Sequence, residues 1–158
     1  MRLRASRLRR GEWIAGAGSL VLLASVFLLP WYRFDVYPAG SFTHDGWTEL
    51  SHARWLILVA ILSGLALVLF QAARRAPAVP LTLSLATMVL GGLSVLWLLY
   101  RVVIDPPGSS DQAGAFVGLV SACTVAIGGY LSLREDGIAP EDGPAEIPTV
   151  DPRPAGDS

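Results

Sequence analysis

Lysine is absent from this 158-residue chain, cysteine occurs once and histidine twice. Four long stretches, Trp13 to Leu29, Trp55 to Phe70, Leu81 to Leu99 and Ala113 to Leu133, contain no Asp, Glu, Lys, Arg or His at all. The single thiol, Cys123, excludes an internal disulfide and a thiolate metal cluster, and its place in the middle of an apolar stretch makes it a small filler rather than a nucleophile. His44 and His52 stand near Asp45 and Glu49, but their spacing matches no tight metal site. Together with Ser41 and Thr43 they compose no hydrolytic triad. No HExxH, no CxxC and no glycine-rich phosphate loop after a strand occurs. No catalytic residue, cofactor or metal ligand is therefore expected, and the chain does not read as an enzyme.

What remains is apolar. Hydrophobic residues make up 53% of the chain and charged ones only 16%, too few charges to cover a water-soluble globule of this size. At 1.5 Å per residue, each charge-free stretch with its flanks reaches roughly across the ~30 Å hydrocarbon layer. Each is apolar around its whole circumference, whereas barrel strands would alternate over about ten residues. A helix also satisfies its own backbone hydrogen bonds in lipid. The expected fold is all-α, a polytopic transmembrane four-helix bundle with spans at about 12–30, 53–73, 80–101 and 113–133. The Arg-rich start followed by an apolar run resembles a signal peptide, but the run is too long for one and no small-x-small cleavage site follows it.

All twelve basic residues are Arg. Arg2, Arg4, Arg7, Arg9 and Arg10 precede the first span, Arg74 and Arg75 lie between the second and third, and Arg134 follows the fourth. Only Arg33, Arg54 and Arg101 fall on the other side, so the positive-inside rule puts both termini in the cytoplasm of a multi-pass cell-membrane protein. An even number of spans agrees. The basic segment 1–11 lies immediately inside the membrane, where phospholipid headgroups rather than nucleic acid account for it. Residues 134–158 hold seven acids and five prolines with no apolar periodicity, the composition of a disordered acidic cytoplasmic tail.

The first external loop carries Trp31, Tyr32, Phe34, Tyr37, Phe42 and Trp47, too aromatic for a plain linker. Such rings favour the headgroup layer, so Trp31, Tyr32, Trp47 and Trp55 are expected as interface anchors. The loop is expected to fold back as a small aromatic cap, with turns near Pro38-Ala39-Gly40 and Asp45-Gly46. In the second external loop Asp105-Pro106-Pro107-Gly108 must stop the third span near Ile104, and Arg101 and Asp105 are spaced to pair on its last turn.

Lipid is as apolar as leucine, so the spans must associate by close packing. Gly114-x-x-x-Gly118 and Gly128-Gly129 in the fourth span, and Gly91 and Gly92 in the third, are the candidate helix-packing residues, either within one chain or in a homodimer. The connection lengths suggest two helical hairpins, with the second and third spans as neighbours. The spans offer no ionisable side chain at membrane depth for a transport pathway. Only Ser63 and Thr87, near the middle of the second and third spans, stand as polar candidates.

The Arg-rich start, Leu-Leu-Pro-Trp-Tyr at 28–32, the aromatic loop with Trp47, Arg101 followed by Pro106-Pro107-Gly108, Gly114 with Gly118, and Gly128-Gly129 before Leu133-Arg134-Glu135-Asp136 resemble small, largely uncharacterised four-span membrane proteins of actinobacteria. The likeness covers roughly residues 10–136 and implies the four-span fold but no activity. Claudin-like and tetraspanin-like proteins share only the topology, since their paired external cysteines are missing here. The reading that follows is a non-enzymatic membrane scaffold or accessory subunit, packing against membrane lipid and against another integral membrane protein or itself. A small oligomeric transporter or channel, and a lipid-modifying enzyme of the outer leaflet using His44, Asp45 or His52, stand as alternatives.

Overall fold

In the computed structural model, which describes residues 9–38, 40–51, 53–72, 78–106, 110–111 and 113–135, the chain is a four-span helical membrane bundle with a small antiparallel sheet over one end. The expected basic N-terminal segment up to residue 8, the Arg74–Arg75 turn and the acidic tail from 136 onward lie outside the described residues.

The spans are α1 (Arg10–Leu28), α3 (Arg54–Ala72), α4 (Ala78–Leu99, continued by a π-helical turn, Tyr100–Ile104) and α5 (Ala113–Glu135). All four are long and apolar enough to cross a membrane. Their limits follow from local chemistry. Pro30 disfavours helical geometry at the residue before it, and α1 stops at Leu28. Pro80 falls in the first turn of α4, where a missing N–H removes no intrahelical bond. At the far end the Asp105 N–H reaches back five residues to the Tyr100 carbonyl at 3.0 Å, closing the π turn just before Pro106.

Around the bundle the order is α1, α3, α4, α5, and α5 closes the ring on α1 through the most extensive interface in the molecule. Both expected hairpins and the α3–α4 neighbourhood are present. The α1–α5 pair, which chain order alone does not foretell, is the main seam. It is built on a 3.5-residue repeat of mostly small residues, Gly11, Ala15, Gly18 and Ser25 with Leu22 on α1 against Gly114, Gly118, Ser121, Gly128 and Ser132 with Val125 on α5, all buried. The helices run antiparallel, with Gly11 opposite Ser132, Ala15 opposite Gly128 and Gly18 opposite Val125. A seven-residue spacing keeps one face of each helix turned to the other along the whole contact. Side chains this small let the backbones touch, and a Cβ at Gly128 would collide with the Ala15 backbone.

The neighbouring glycine, Gly129, serves the other seam. A Cβ there would lie 2.6 Å from Met88 N on α4, and one at Gly91 would lie 2.9 Å from Ala126 N on α5. The Ser84 and Ser132 hydroxyls meet across the same interface at 3.0 Å. Gly92 differs from the expectation of a packing residue within the chain, because nothing lies within 4 Å of a Cβ built on it. At the end of the bundle away from the sheet, the Arg9 side chain donates to the Glu135 carbonyl, and Gly11 N–H reaches Glu135 Oε2 at 3.5 Å. The start of α1 and the end of α5 therefore share one side.

The sheet is the main structural finding beyond the expected all-α bundle. The aromatic loop forms a hairpin, β1 (Pro30–Val36) against β2 (Gly40–Asp45), and the connection after α4 adds a short strand, β3 (Ser110–Asp111), in the order β2-β1-β3. Gly40 carries φ +101°, a turn conformation that favours glycine. Phe34, Phe42 and His44 share one face, with ring centroids 5.0 to 5.6 Å apart. A one-turn helix, α2 (Gly46–Glu49), follows, capped by Asp45 Oδ1, which accepts from Thr48 N at 2.9 Å.

Gly128→Val places branched carbons against the Ala15 backbone and is expected to lower stability by about 3 kcal/mol, the upper range for overpacking. Gly92→Leu, opening outward, is expected to leave stability unchanged. Thermal midpoints of the two variants in one mild detergent check both statements.

Candidate functional site

The bundle and the sheet meet at Trp31. The β1–β2 register slips between Pro30 and Tyr32, and this bulge turns two consecutive aromatic residues inward where strict alternation would bury one. Trp31 and Tyr32 are both 0% exposed. Neither is the headgroup anchor expected from sequence; they are the core of the junction.

Three glycines shape the Trp31 socket. A Cβ would lie 2.6 Å from Trp31 Cε2 at Gly46, 2.6 Å from Cδ1 at Gly114 and 2.5 Å from Cζ2 at Gly118. Gly114-x-x-x-Gly118 thus receives an indole from the loop, at the end of the α1–α5 seam. The indole N–H donates to the Ser25 carbonyl at 2.8 Å, and the Ser25 hydroxyl donates to the Gly114 carbonyl at 2.7 Å. A buried indole N–H without a partner would cost about 1–3 kcal/mol, and here it has one. Tyr32 Oη lies 3.5 Å from the Arg101 carbonyl and connects β1 to the π turn.

Trp55 is 59% exposed at the start of α3, a position open to headgroups. Trp47 is half-buried. It stacks on Phe27 at 5.1 Å and meets Trp55 edge-on at 6.0 Å. The Arg54 guanidinium lies over both indoles, 5.5 and 5.7 Å from their centroids, a cation–π arrangement that holds a charge at the bundle edge.

Beside this cluster, under the cap, lies a cavity of about 460 Å³ between α2 and the π turn, lined by Glu49, Ser51, Trp97, Tyr100, Arg101 and Asp105 among others. Arg101 Nη1 contacts Asp105 Oδ2 at 3.0 Å, the pair expected from their spacing. Glu49 Oε1 lies 2.5 Å from His44 Nδ1. Trp97 and Tyr100 also line an apolar groove of about 450 Å³ between α3 and α4, together with Leu56, Leu93 and Leu96. Sequence reading missed this cavity, since Glu49 and Arg101 are far apart in the chain.

The remaining sequence candidates are not brought together. Ser63 donates to its own helix at the Ala60 carbonyl and Thr87 to the Leu83 carbonyl, both at 2.8 Å. Ser19, Ser94, Ser121 and Thr124 do likewise. Among the described residues no three His, Cys, Asp or Glu side chains could hold a metal; His52 lies outside the described residues. Cys123 is half-buried on α5.

Trp31→Ala empties the socket and is expected to cost about 3–5 kcal/mol. Gly118→Leu, which fills the socket from below, should produce a similar loss. Thermal midpoints and limited proteolysis of the 30–45 segment are the measurements; a cap that stays protected in Trp31→Ala would contradict the role given to the indole.

No protein-family model, no curated protein and no solved structure matches this chain, so the likeness to actinobacterial proteins has no support beyond the four-span plan itself.

Proposed function

We propose that the protein is a non-enzymatic membrane scaffold or accessory subunit, oriented with its termini in the cytoplasm and its cap outside as the arginine distribution favours. The observation that carries this reading is Gly92. The other candidate glycines face internal neighbours, whereas Gly92 opens outward on α4, the least enclosed span, with 28% of its apolar window buried against 50% for α1. Leu85 and Val89, each 46% exposed, lie on the same face toward the cytoplasmic half. A small residue flanked by exposed aliphatic ones admits a second helix at short range. The partner is another integral membrane protein or a second copy of this chain.

Transport has less support. Ser63 and Thr87 each donate to a carbonyl of their own helix and so present no joint polar site. His44 is engaged by Glu49 and by the Phe34 and Phe42 rings, which favours a structural place in the cap over lipid hydrolysis.

Extraction in mild detergent followed by intact-complex mass measurement tests the proposal. A mass above that of the lone 16.8 kDa chain with its lipid is expected, returning to the single chain in Gly92→Leu at an unchanged thermal midpoint. A single chain already in the unsubstituted protein, or a complex that survives Gly92→Leu, rejects it.

A further inference from the structure

We propose that the cavity under the cap and the groove between α3 and α4 together bind one phospholipid with a primary-amine headgroup, of the phosphatidylethanolamine class, from the leaflet on the cap side. The proposal does not rest on the α4 contact at Gly92.

Two spaces of similar size adjoin, the upper of mixed lining and the lower apolar. The upper one, about 460 Å³, has Glu49, Arg101 and Asp105 in its walls beside Leu50, Ala53 and the two aromatic rings. The lower one, about 450 Å³, is walled by leucines of α3 and α4. Trp97 and Tyr100 belong to both, their rings 6.3 Å apart and inclined at 46°. An indole and a phenol at this level match the boundary between headgroup and hydrocarbon. From Leu93 to Tyr100 the groove runs about 10 Å along the helix, two thirds of the ~15 Å depth of one hydrocarbon leaflet. Leu93 and Leu96 are 47% and 65% exposed, so the groove opens to the bilayer core. A water-soluble ligand would fill only the upper half.

The charges select the headgroup. Arg101 gives Nη1 to Asp105, which engages one of the guanidinium's three nitrogens; a planar fork of donors beside a cavity suits a phosphate. Glu49 and Asp105 add two carboxylates, and the Glu49 side chain is only 16% exposed. Among the side chains that line the cavity two carboxylates stand to one guanidinium, with one Glu49 oxygen also held by His44 and Arg54 set outside over the indoles. An anionic headgroup therefore meets one donor fork and two groups of its own sign. A zwitterionic headgroup satisfies both, phosphate to Arg101 and ammonium to the carboxylates. A primary ammonium offers three N–H donors that carboxylates accept, while a quaternary one offers none.

The test uses the full-length protein reconstituted in vesicles of equal phosphatidylethanolamine, phosphatidylcholine and phosphatidylglycerol, re-extracted in mild detergent and weighed intact with its lipid. Phosphatidylethanolamine is expected to be retained at least tenfold over either of the others. The double variant Glu49→Gln, Asp105→Asn should abolish the preference over phosphatidylcholine, and Leu93→Trp, which fills the groove from a half-exposed position, should reduce retention of all three about tenfold. Retention that mirrors the vesicle composition, favours phosphatidylglycerol, or survives Leu93→Trp in a protein of unaltered thermal midpoint overturns the proposal.

Discussion

The Trp31 indole fixes the geometry on which the rest of the molecule depends. Its ring lies against Gly46, Gly114 and Gly118, and its N–H closes on the Ser25 carbonyl. In a membrane protein the helices gain little from leaving lipid, because the surroundings are already apolar. The cap end is different, since an indole leaving the headgroup layer must bring its N–H to a partner. The α1 carbonyl of Ser25 supplies one. Three glycines supply the space, and so a single side chain joins the sheet, α1, α2 and α5.

The role of α5 follows from helical geometry. Consecutive residues differ by about 100° around a helix axis, so Gly128 and Gly129 cannot face the same neighbour. One admits the Ala15 backbone of α1 and the other the Met88 backbone of α4. The 3.5-residue repeat from Gly114 to Ser132 then holds the α1 seam along the whole span, and Ser84 with Ser132 supplies a polar contact across the α4 seam. A helix contacted this closely on two sides cannot shift register without colliding on one of them.

How much of this was legible depends on whether the signal was local. The spans were, because the absence of charge is a property of consecutive residues, and Pro30 and Asp105-Pro106 mark two helix ends directly. The Arg101–Asp105 pair was, because four residues along a helix is a contact whatever the fold. The hairpin was written in the chain as Tyr32 and Phe34 alternating with Arg33 and Asp35, then Phe42 and His44 flanking Thr43. A loop folding back on itself was expected, but its strand pairing was missed because aromatic residues near a span end already have an interfacial explanation. The burial of Trp31 could not be read, since a bulge at that residue breaks the alternation that burial arguments use. Gly114 and Gly118 were read as helix-packing positions, but what lies against them is the Trp31 indole, which residues elsewhere in the chain bring there. Gly91 and Gly92, adjacent and chemically identical, are divided by which face of α4 each occupies.

The cavity under the cap inherits its shape from the same junction. Glu49 sits on α2, and α2 begins at Gly46, which is pressed under the Trp31 ring and preceded by the Asp45 cap. Arg101 sits in the π turn, whose backbone carbonyl faces Tyr32 Oη, the residue next to Trp31. The pairing of β1 with β3 also draws the α4–α5 connection over the same end. The two polar walls are therefore both referred to one indole, through Gly46 and the single turn of α2 on one side and through Tyr32 on the other. The leucine part of the groove below is set differently, because Leu56, Leu93 and Leu96 lie on helices packed within the bundle, whereas Trp97 and Tyr100 line both spaces and Tyr100 opens the π turn. The proposed headgroup site thus depends on the Trp31 junction directly, and the proposed chain site only at its upper end.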